Sequence, residues 1–402
     1  MRALWVAALA AHVTLGAAFA AAAGGRAQNK PPQKTQKLPR PRQLDKAVVW
    51  TRDPVTGELR ATPATAPGAA PSGNAPPGSH PMQVLTQMVP VTCIVSTADG
   101  SAVPGLRKQD FRILEDGSEQ PIAYFDASSA PASVALVIDA SPSVLRDSEE
   151  MKQASDTLID SLAPLDQAAV VDFSRHTYLQ LPFSDVREQI RSAVGRVDVR
   201  ALLGDTGGSN IYEAVYLAAR ELFAGHSGRK AILLLTDGQD SGLGLTLDPD
   251  SATPRPGETA NRLTFDDVAR KLAAEDIQIF AVSTENRPKV MTQDWLTAHA
   301  DTTLLTTRTR RLGIPAYTLY LAELVRRSGG QLYFLRETET MADTFRKIAQ
   351  KIRAEYNLGF YPDPGASGDG VRPGWHSLRV EVRDQPGAQV SHRAAYYVPA
   401  TR

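Results

Sequence analysis

Five short apolar runs, at 134–138, 168–173, 231–235, 277–282 and 331–335, alternate with segments of helical periodicity near 148–163, 185–195, 210–224, 264–275, 317–328 and 338–354. An unbroken apolar run of this length is the signature of a strand covered on both faces. In the segment near 210–224, Tyr212, Val215, Tyr216, Ala219 and Leu222 line one helical face. Strand–helix alternation across residues 132–354 therefore predicts an α/β domain, Rossmann-like and doubly wound, with a mostly parallel sheet between helices. The stretch Thr177–Phe183 follows the second run after a tight turn, and we expect it as the single antiparallel edge strand.

Two of the runs end on an aspartate. Val134-Ala-Leu-Val-Ile-Asp139 continues as Ala-Ser141-Pro-Ser143, and Ala231-Ile-Leu-Leu-Leu continues as Thr236-Asp237-Gly238. In open parallel sheets, ligands bind beyond the carboxyl ends of the strands. Two serines at alternate positions after Asp139 can aim both hydroxyls at one point. A third loop, Gly204-Asp-Thr-Gly-Gly-Ser-Asn210, precedes a helix, and its glycines allow close backbone approach. Ser209 supplies a further hydroxyl, with Thr206 as the alternative donor. Asp139, Ser141, Ser143, Ser209 and Asp237 form an all-oxygen set that suits Mg²⁺ first, then Mn²⁺ or Ca²⁺, over Zn²⁺. Two carboxylates and three hydroxyls leave a coordination position for water or an incoming ligand. Neutral hydroxyls quench little of the ion's charge, so it attracts an Asp or Glu side chain of a protein partner.

Aspartate and serine are also the residues of turns and helix caps, and Ser209 would serve as the N-cap of a helix starting near Ile211. Asp172 and Asp185 read as solvated or capping acids. The seven histidines are dispersed and form no zinc set. Ser174-Arg-His176 falls within one tight turn, and no Gly-x-Ser-x-Gly elbow is present, so no hydrolytic nucleophile–base pair is expected. Gly225-His-Ser-Gly-Arg-Lys230 follows a helix and opens a strand, the reverse of a phosphate loop.

On these residues, 132–354 resembles a von Willebrand factor A domain. Asp139, Ser141, Ser143, the Gly207-Gly-Ser209 loop and Thr236-Asp237-Gly238 match its metal-ion-dependent adhesion site (MIDAS). Such domains typically carry threonine where this chain has Ser209, which keeps the hydroxyl and loses a methyl. The flanks, Ala98 to Gly117, Tyr356 to Pro362 and Arg393 to Tyr397, resemble exported VWFA-related proteins abundant in Acidobacteria. The resemblance implies divalent-cation binding and protein interaction, as in adhesion or assembly, without naming a partner. It also implies that the last helix, 338–354, shifts when the site is occupied. An ion that only ties the loops together is the alternative, and a hydrolase is a more distant one.

The rest of the chain frames this domain. Residues 1–27 read as an export signal: Arg2 precedes an alanine-rich apolar stretch, Ala3–Ala23, with cleavage after Ala20 or Ala27. An uncleaved anchor is the alternative. No other segment is apolar enough to span a membrane, so a periplasmic, envelope or secreted protein is expected. Residues 28–82 are rich in Pro, Ala and Thr and are expected as a mostly disordered tether, with Val48-Val-Trp50 its one apolar patch and the one candidate for local strand pairing. Residues 83–131 and 355–402 carry strand patterns. Each is too small to bury a core alone, so 83–126 and 355–398 are expected to pack as one β-sandwich. Phe360-Tyr361 and Tyr396-Tyr397 would fill its core and rim. The insertions 238–262 and 286–314, the latter with Arg308-Thr-Arg310-Arg311, are expected as surface loops. Cys93 is the one cysteine, expected as a buried apolar side chain without a disulfide. Lys+Arg and Asp+Glu number 44 each, which argues against a nucleic-acid partner.

Overall fold

The computed structural model describes residues 38–399, apart from 47, 55, 64–87, 98–100, 128–129, 145–147, 198–207, 244–261, 300–301, 336–339, 363–370 and 386. The expected export signal, Thr206, most of the 238–262 insertion and the Arg310 side chain lie outside the described residues.

The strands, in chain order, are β1 (Arg42–Gln43), β2 (Val48–Arg52), β3 (Leu59–Pro63), β4 (Val89–Ser96), β5 (Phe111–Glu115), β6 (Ser118–Gln120), β7 (Tyr124–Asp126), β8 (Ala132–Asp139), β9 (Gln167–Phe173), β10 (Thr177–Ser184), β11 (Arg229–Thr236), β12 (Gln278–Ser283), β13 (Gln331–Phe334), β14 (Glu355–Phe360), β15 (Gly374–Val382), β16 (Gln389–His392) and β17 (Ala395–Val398). The helices are α1 (Ser148–Ser161), α2 (Arg187–Val194), α3 (Ile211–Leu222), α4 (Phe265–Glu275), α5 (Gln293–Ala298), α6 (Thr307–Arg310), α7 (Ala316–Ser328) and α8 (Met341–Arg353).

Seven strands form the central sheet in the order β1-β10-β9-β8-β11-β12-β13. β8 pairs in parallel with β9 on one side and with β11 on the other. The chain thus winds outward from β8 in both directions, and strand order reverses at the β8–β11 boundary. The pleat sends alternate side chains of β8 to opposite faces. Ala135 and Val137 join a core with Tyr212, Val215, Val268 and Leu324 from α3, α4 and α7. Val134, Leu136 and Ile138 pack with Met151, Leu158, Ile190 and Phe345 from α1, α2 and α8. Burial on both faces explains why these strands are continuous apolar runs rather than alternating ones.

The flanking strands form two four-stranded sheets, β16-β4-β14-β7 and β17-β15-β5-β6. Between them lie Val91, Cys93, Phe111, Ile113, Tyr356, Leu358, Phe360 and Tyr396. Four strands of this sandwich (β4–β7) precede the α/β domain and four (β14–β17) follow it, and each sheet mixes both sets. The sandwich docks at the amino-terminal end of the central strands. There Arg229, which opens β11, faces Glu355, which opens β14, with Nε to Oε2 at 3.8 Å and both side chains buried. The Arg393 guanidinium reaches the carbonyl oxygens of Ala273 and Pro90, and lies 3.7 Å from Asp276.

Four expectations are corrected. The described part of the expected tether, 38–63, is a structured strap. β2 and β3 form a hairpin, Leu44 joins the domain core, and Leu59 is buried as well. The Trp50 and Tyr216 rings meet at a tilt with centroids 5.4 Å apart, and Arg52 makes a two-pronged ion pair with buried Asp267 at 2.9 and 2.6 Å. These few apolar and charged anchors hold a composition that by itself reads as disordered. β10 is antiparallel to β9 as expected, yet it is not the edge, because β1 pairs outside it in the same sense. The 286–314 insertion contains α5 and α6, and it buries Met291, Leu304 and Ile314 against the core. The Glu323 carboxylate holds it by accepting the Leu304 N–H at 2.9 Å and the Thr303 hydroxyl at 3.1 Å. Asp172 is buried, not solvated, and accepts the Gln180 side-chain amide at 2.6 Å.

Candidate metal centre

β8 and β11 run in register, with Leu235 beside Ile138, so the chain leaves both strands at one level. Asp139 closes β8 and Asp237 follows β11. Hydrogen bonds then bring the loop side chains onto these two carboxylates. Ser209 Oγ donates to Asp139 Oδ1 at 3.0 Å, and the Ser141 N–H donates to the same oxygen at 2.9 Å. Ser143 Oγ donates to Asp237 Oδ2 at 2.7 Å, and it lies 3.0 Å from Ser141 Oγ. The Gln239 N–H donates to Asp237 Oδ1 at 2.9 Å. All five residues singled out from the sequence therefore meet at one place, contributed by three loops. Asp139, Ser141, Ser209 and Asp237 are buried, whereas Ser143 is exposed and turns the cluster toward solvent.

Two further residues support the site: Thr236, which stands in the matched motif without an assigned role, and Asp240, which was not singled out. Thr236, the last residue of β11, is fully buried and donates its hydroxyl to Asp139 Oδ2 at 2.9 Å. The same hydroxyl oxygen accepts the Gly238 N–H at 3.0 Å, which shapes the turn. Gly238 has φ +86°, a conformation that favours glycine, and a Cβ there would approach the Tyr317 ring at 3.4 Å. The signal was available: a β-branched hydroxyl residue ends an otherwise wholly apolar run. Asp240 is the second. It accepts the Tyr212 N–H in the first turn of α3 at 3.4 Å and the Leu243 N–H at 2.7 Å. The residue preceding α3 is Asn210, whose side chain makes no cap bond, and Ser209 turns to Asp139 rather than capping the helix.

Burial pushes the Asp139 carboxyl up to about 6; the Ser141 and Thr236 hydrogen bonds pull it back down, and the charge of nearby Asp237 adds to the rise. Two carboxylates thus sit close enough to repel, and no Lys, Arg or His among the described residues forms an ion pair with either. A buried, unpaired negative charge is costly. A divalent cation at this point would relieve it, and the surrounding hydroxyl oxygens have lone pairs to offer. Among the described residues no three His, Cys, Asp or Glu side chains cluster to hold a metal, so any ion here depends on hydroxyls for the rest of its shell. The donor set fits a hard cation: Asp139, Ser141, Ser143, Ser209 and Asp237 would hold it.

Residues 134–239 match the family profile of the von Willebrand factor type A domain, so the chain carries a domain of that family. Solved structures with a similar fold include an aerotolerance-related membrane protein from Bacteroides fragilis, 17% identical over 55% of this chain and 98% of that one, with a TM-score of 0.37. A von Willebrand factor type A protein from Catenulispora acidiphila is 15% identical over 77% and 74% of the two chains, with a TM-score of 0.36. Proximal thread matrix protein 1 from the mussel byssus, solved with a zinc-occupied MIDAS motif, is 16% identical over 58% and 48%, with a TM-score of 0.38. No curated protein matches the chain. Among the described residues, no helix is long and apolar enough to cross a membrane.

Proposed function

We propose that this is an exported, metal-dependent protein-binding module without catalytic chemistry of its own. Asp139 and Asp237 neutralise a divalent cation, Mg²⁺ by preference, and Ser141, Ser143 and Ser209 complete its protein ligands. The cation captures an Asp or Glu side chain of a protein partner in the envelope or matrix, an adhesion or assembly role. One observation carries this reading. Two buried carboxylates, with no ion pair to a cation among the described residues, are joined by three serine hydroxyls at a strand-order reversal, with Ser143 open to solvent. Hard oxygen donors favour Mg²⁺, Mn²⁺ or Ca²⁺ over Zn²⁺. Export is supported by the alanine-rich stretch after Arg2.

Calorimetric titration with Mg²⁺, Mn²⁺, Ca²⁺ and Zn²⁺ tests the site directly. The wild-type chain should bind Mg²⁺, and Asp139→Ala should not. Capture of envelope proteins should then be lost with chelator and with Asp139→Ala alike. Metal that raises the melting temperature while capture stays unchanged would show the ion to be a loop clamp and sink the recognition role.

A further inference from the structure

Between β1 and β2 the strap passes close to the site. Asp45 Oδ2 lies 2.7 Å from His176 Nδ1, and Asp45 Oδ1 accepts the Thr177 N–H at 3.3 Å. The Leu44 N–H donates to the Thr177 carbonyl at 2.8 Å. These contacts pin the three-residue turn 174–176 between β9 and β10. Asn210 holds the same turn from the other side. Its N–H donates to Ser174 O at 2.9 Å, and its side-chain amide donates to Arg175 O at 2.8 Å. The residue before Asn210 is Ser209, whose hydroxyl reaches Asp139. On its near side, the turn follows Phe173, whose carbonyl accepts the Ala140 N–H at 2.7 Å, one residue past Asp139. One short turn thus touches both the first and the third loop of the site, and Asp45, with only 11% of its side chain exposed, is its anchor from the strap.

The other anchors of the strap lie elsewhere. The Tyr216 hydroxyl donates to Leu59 O at 2.8 Å, Arg220 donates to Ala61 O at 2.7 Å, and Arg52 grips Asp267 on α4. Attachment of the strap and bracing of the turn are therefore separable. A strap that merely covered the sheet edge would need only these distant anchors and the β1–β10 pairing.

We propose that Asp45 is a positioning residue for the cation site: by pinning the 174–176 turn it fixes Asn210 and, through the backbone, the place of the Ser209 hydroxyl. The proposal rests on the cation reading above. A neutral hydroxyl is a weak ligand, so its contribution depends on being held in place before the ion arrives. Outer residues that orient ligands commonly set metal affinity by 10- to 100-fold, and Asp45, acting through a turn, belongs at the lower end.

The test is Mg²⁺ titration by calorimetry on the full chain, with melting temperatures recorded without metal. Asp45→Ala should weaken Mg²⁺ binding about tenfold and speed hydrogen exchange at the Asn210 amide. Asp45→Asn, which keeps one acceptor oxygen, should recover part of that affinity. Arg52→Ala should lower the melting temperature and leave Mg²⁺ affinity at the wild-type value. Wild-type affinity in Asp45→Ala and Asp45→Asn would overturn the proposal while leaving the cation reading intact. So would affinity that falls with stability alike in Asp45→Ala and Arg52→Ala, which would make the strap merely structural. Equal Mg²⁺ heats from wild type and Asp139→Ala would overturn both.

Discussion

At the carboxyl ends of the central strands, Asp139 and Asp237 are buried beside each other with hydroxyls and amides as partners and no ion pair among the described residues. At the amino ends of the same sheet, charge lies in opposite-sign pairs: Arg229 with Glu355, both buried, and buried Arg393 with half-buried Asp276. The base therefore closes its own electrostatics and welds the sandwich to the α/β domain. At the top, the described residues leave the two carboxylates without a cation, the place where a bound ion would neutralise them. A pair closed within the fold serves structure, because removing either member strands the other. A pair of like charges held together by the fold costs stability, and it persists where a ligand offsets that cost. The contrast holds even though burial drives the Glu355 carboxyl well above the usual carboxylate range, against the pull of the nearby guanidinium.

The largest expected effect breaks the base. Arg229→Met removes the cation facing Glu355 and the hydrogen bond to its carbonyl at 3.1 Å. It should cost roughly 4 kcal/mol in urea unfolding and leave Mg²⁺ affinity untouched. The matching change at the top should have the opposite sign. Asp139→Asn relieves a buried charge, so in chelator at pH 7.5 it should stabilise the chain by at most about 3 kcal/mol, the equivalent of a rise from the ordinary range to about 6. Because the folded-state value of Asp139 is raised, the stability of the metal-free wild type is fully present below about pH 4 and falls as pH rises through 6, so the gain from Asp139→Asn grows over that window. Metal-free wild type should therefore weaken over that window, and Asp139→Asn should weaken less. Destabilisation by both substitutions under chelator would erase the distinction between the two ends. The smallest effect sharpens the top: Thr236→Val removes the donor to Asp139 Oδ2 and should lower Mg²⁺ affinity about tenfold, while Ser209→Thr, which keeps the hydroxyl, should leave it near wild type.

Much of this was legible beforehand. The apolar runs at 134–138 and 231–235 are strands because they are buried on both faces, and their terminal aspartates fall at the same level because the strands pair in parallel register. The flanking strand patterns had nowhere to bury an apolar face except against each other, and the two sheets do so around Phe111, Tyr356 and Phe360. Of the strap, only the local strand pairing of the Val48–Trp50 patch was legible. Residues 42–63 hold strands of two to five residues in a Pro- and Thr-rich stretch, where local propensity is too weak to show. Their order comes from Arg52 on Asp267, Trp50 on Tyr216 and the Leu59 carbonyl on the Tyr216 hydroxyl, partners more than 150 residues away. Thr236 stands in the matched motif, yet its bond to Asp139, like the bonds Asp240 accepts, is set by three-dimensional packing.

The sequence by itself determined the architecture and the chemistry on offer. Periodic burial dictates which segments become strands and helices, and the residue types at strand ends dictate that only oxygen donors stand there. What the tertiary structure alone decided is which oxygens face one another, which charges go uncompensated, and how the strap reaches the turn behind Ser209. Those outcomes depend on distances between loops far apart in the chain, and such distances are properties of packing, which acts over the whole fold at once rather than along a local stretch of residues.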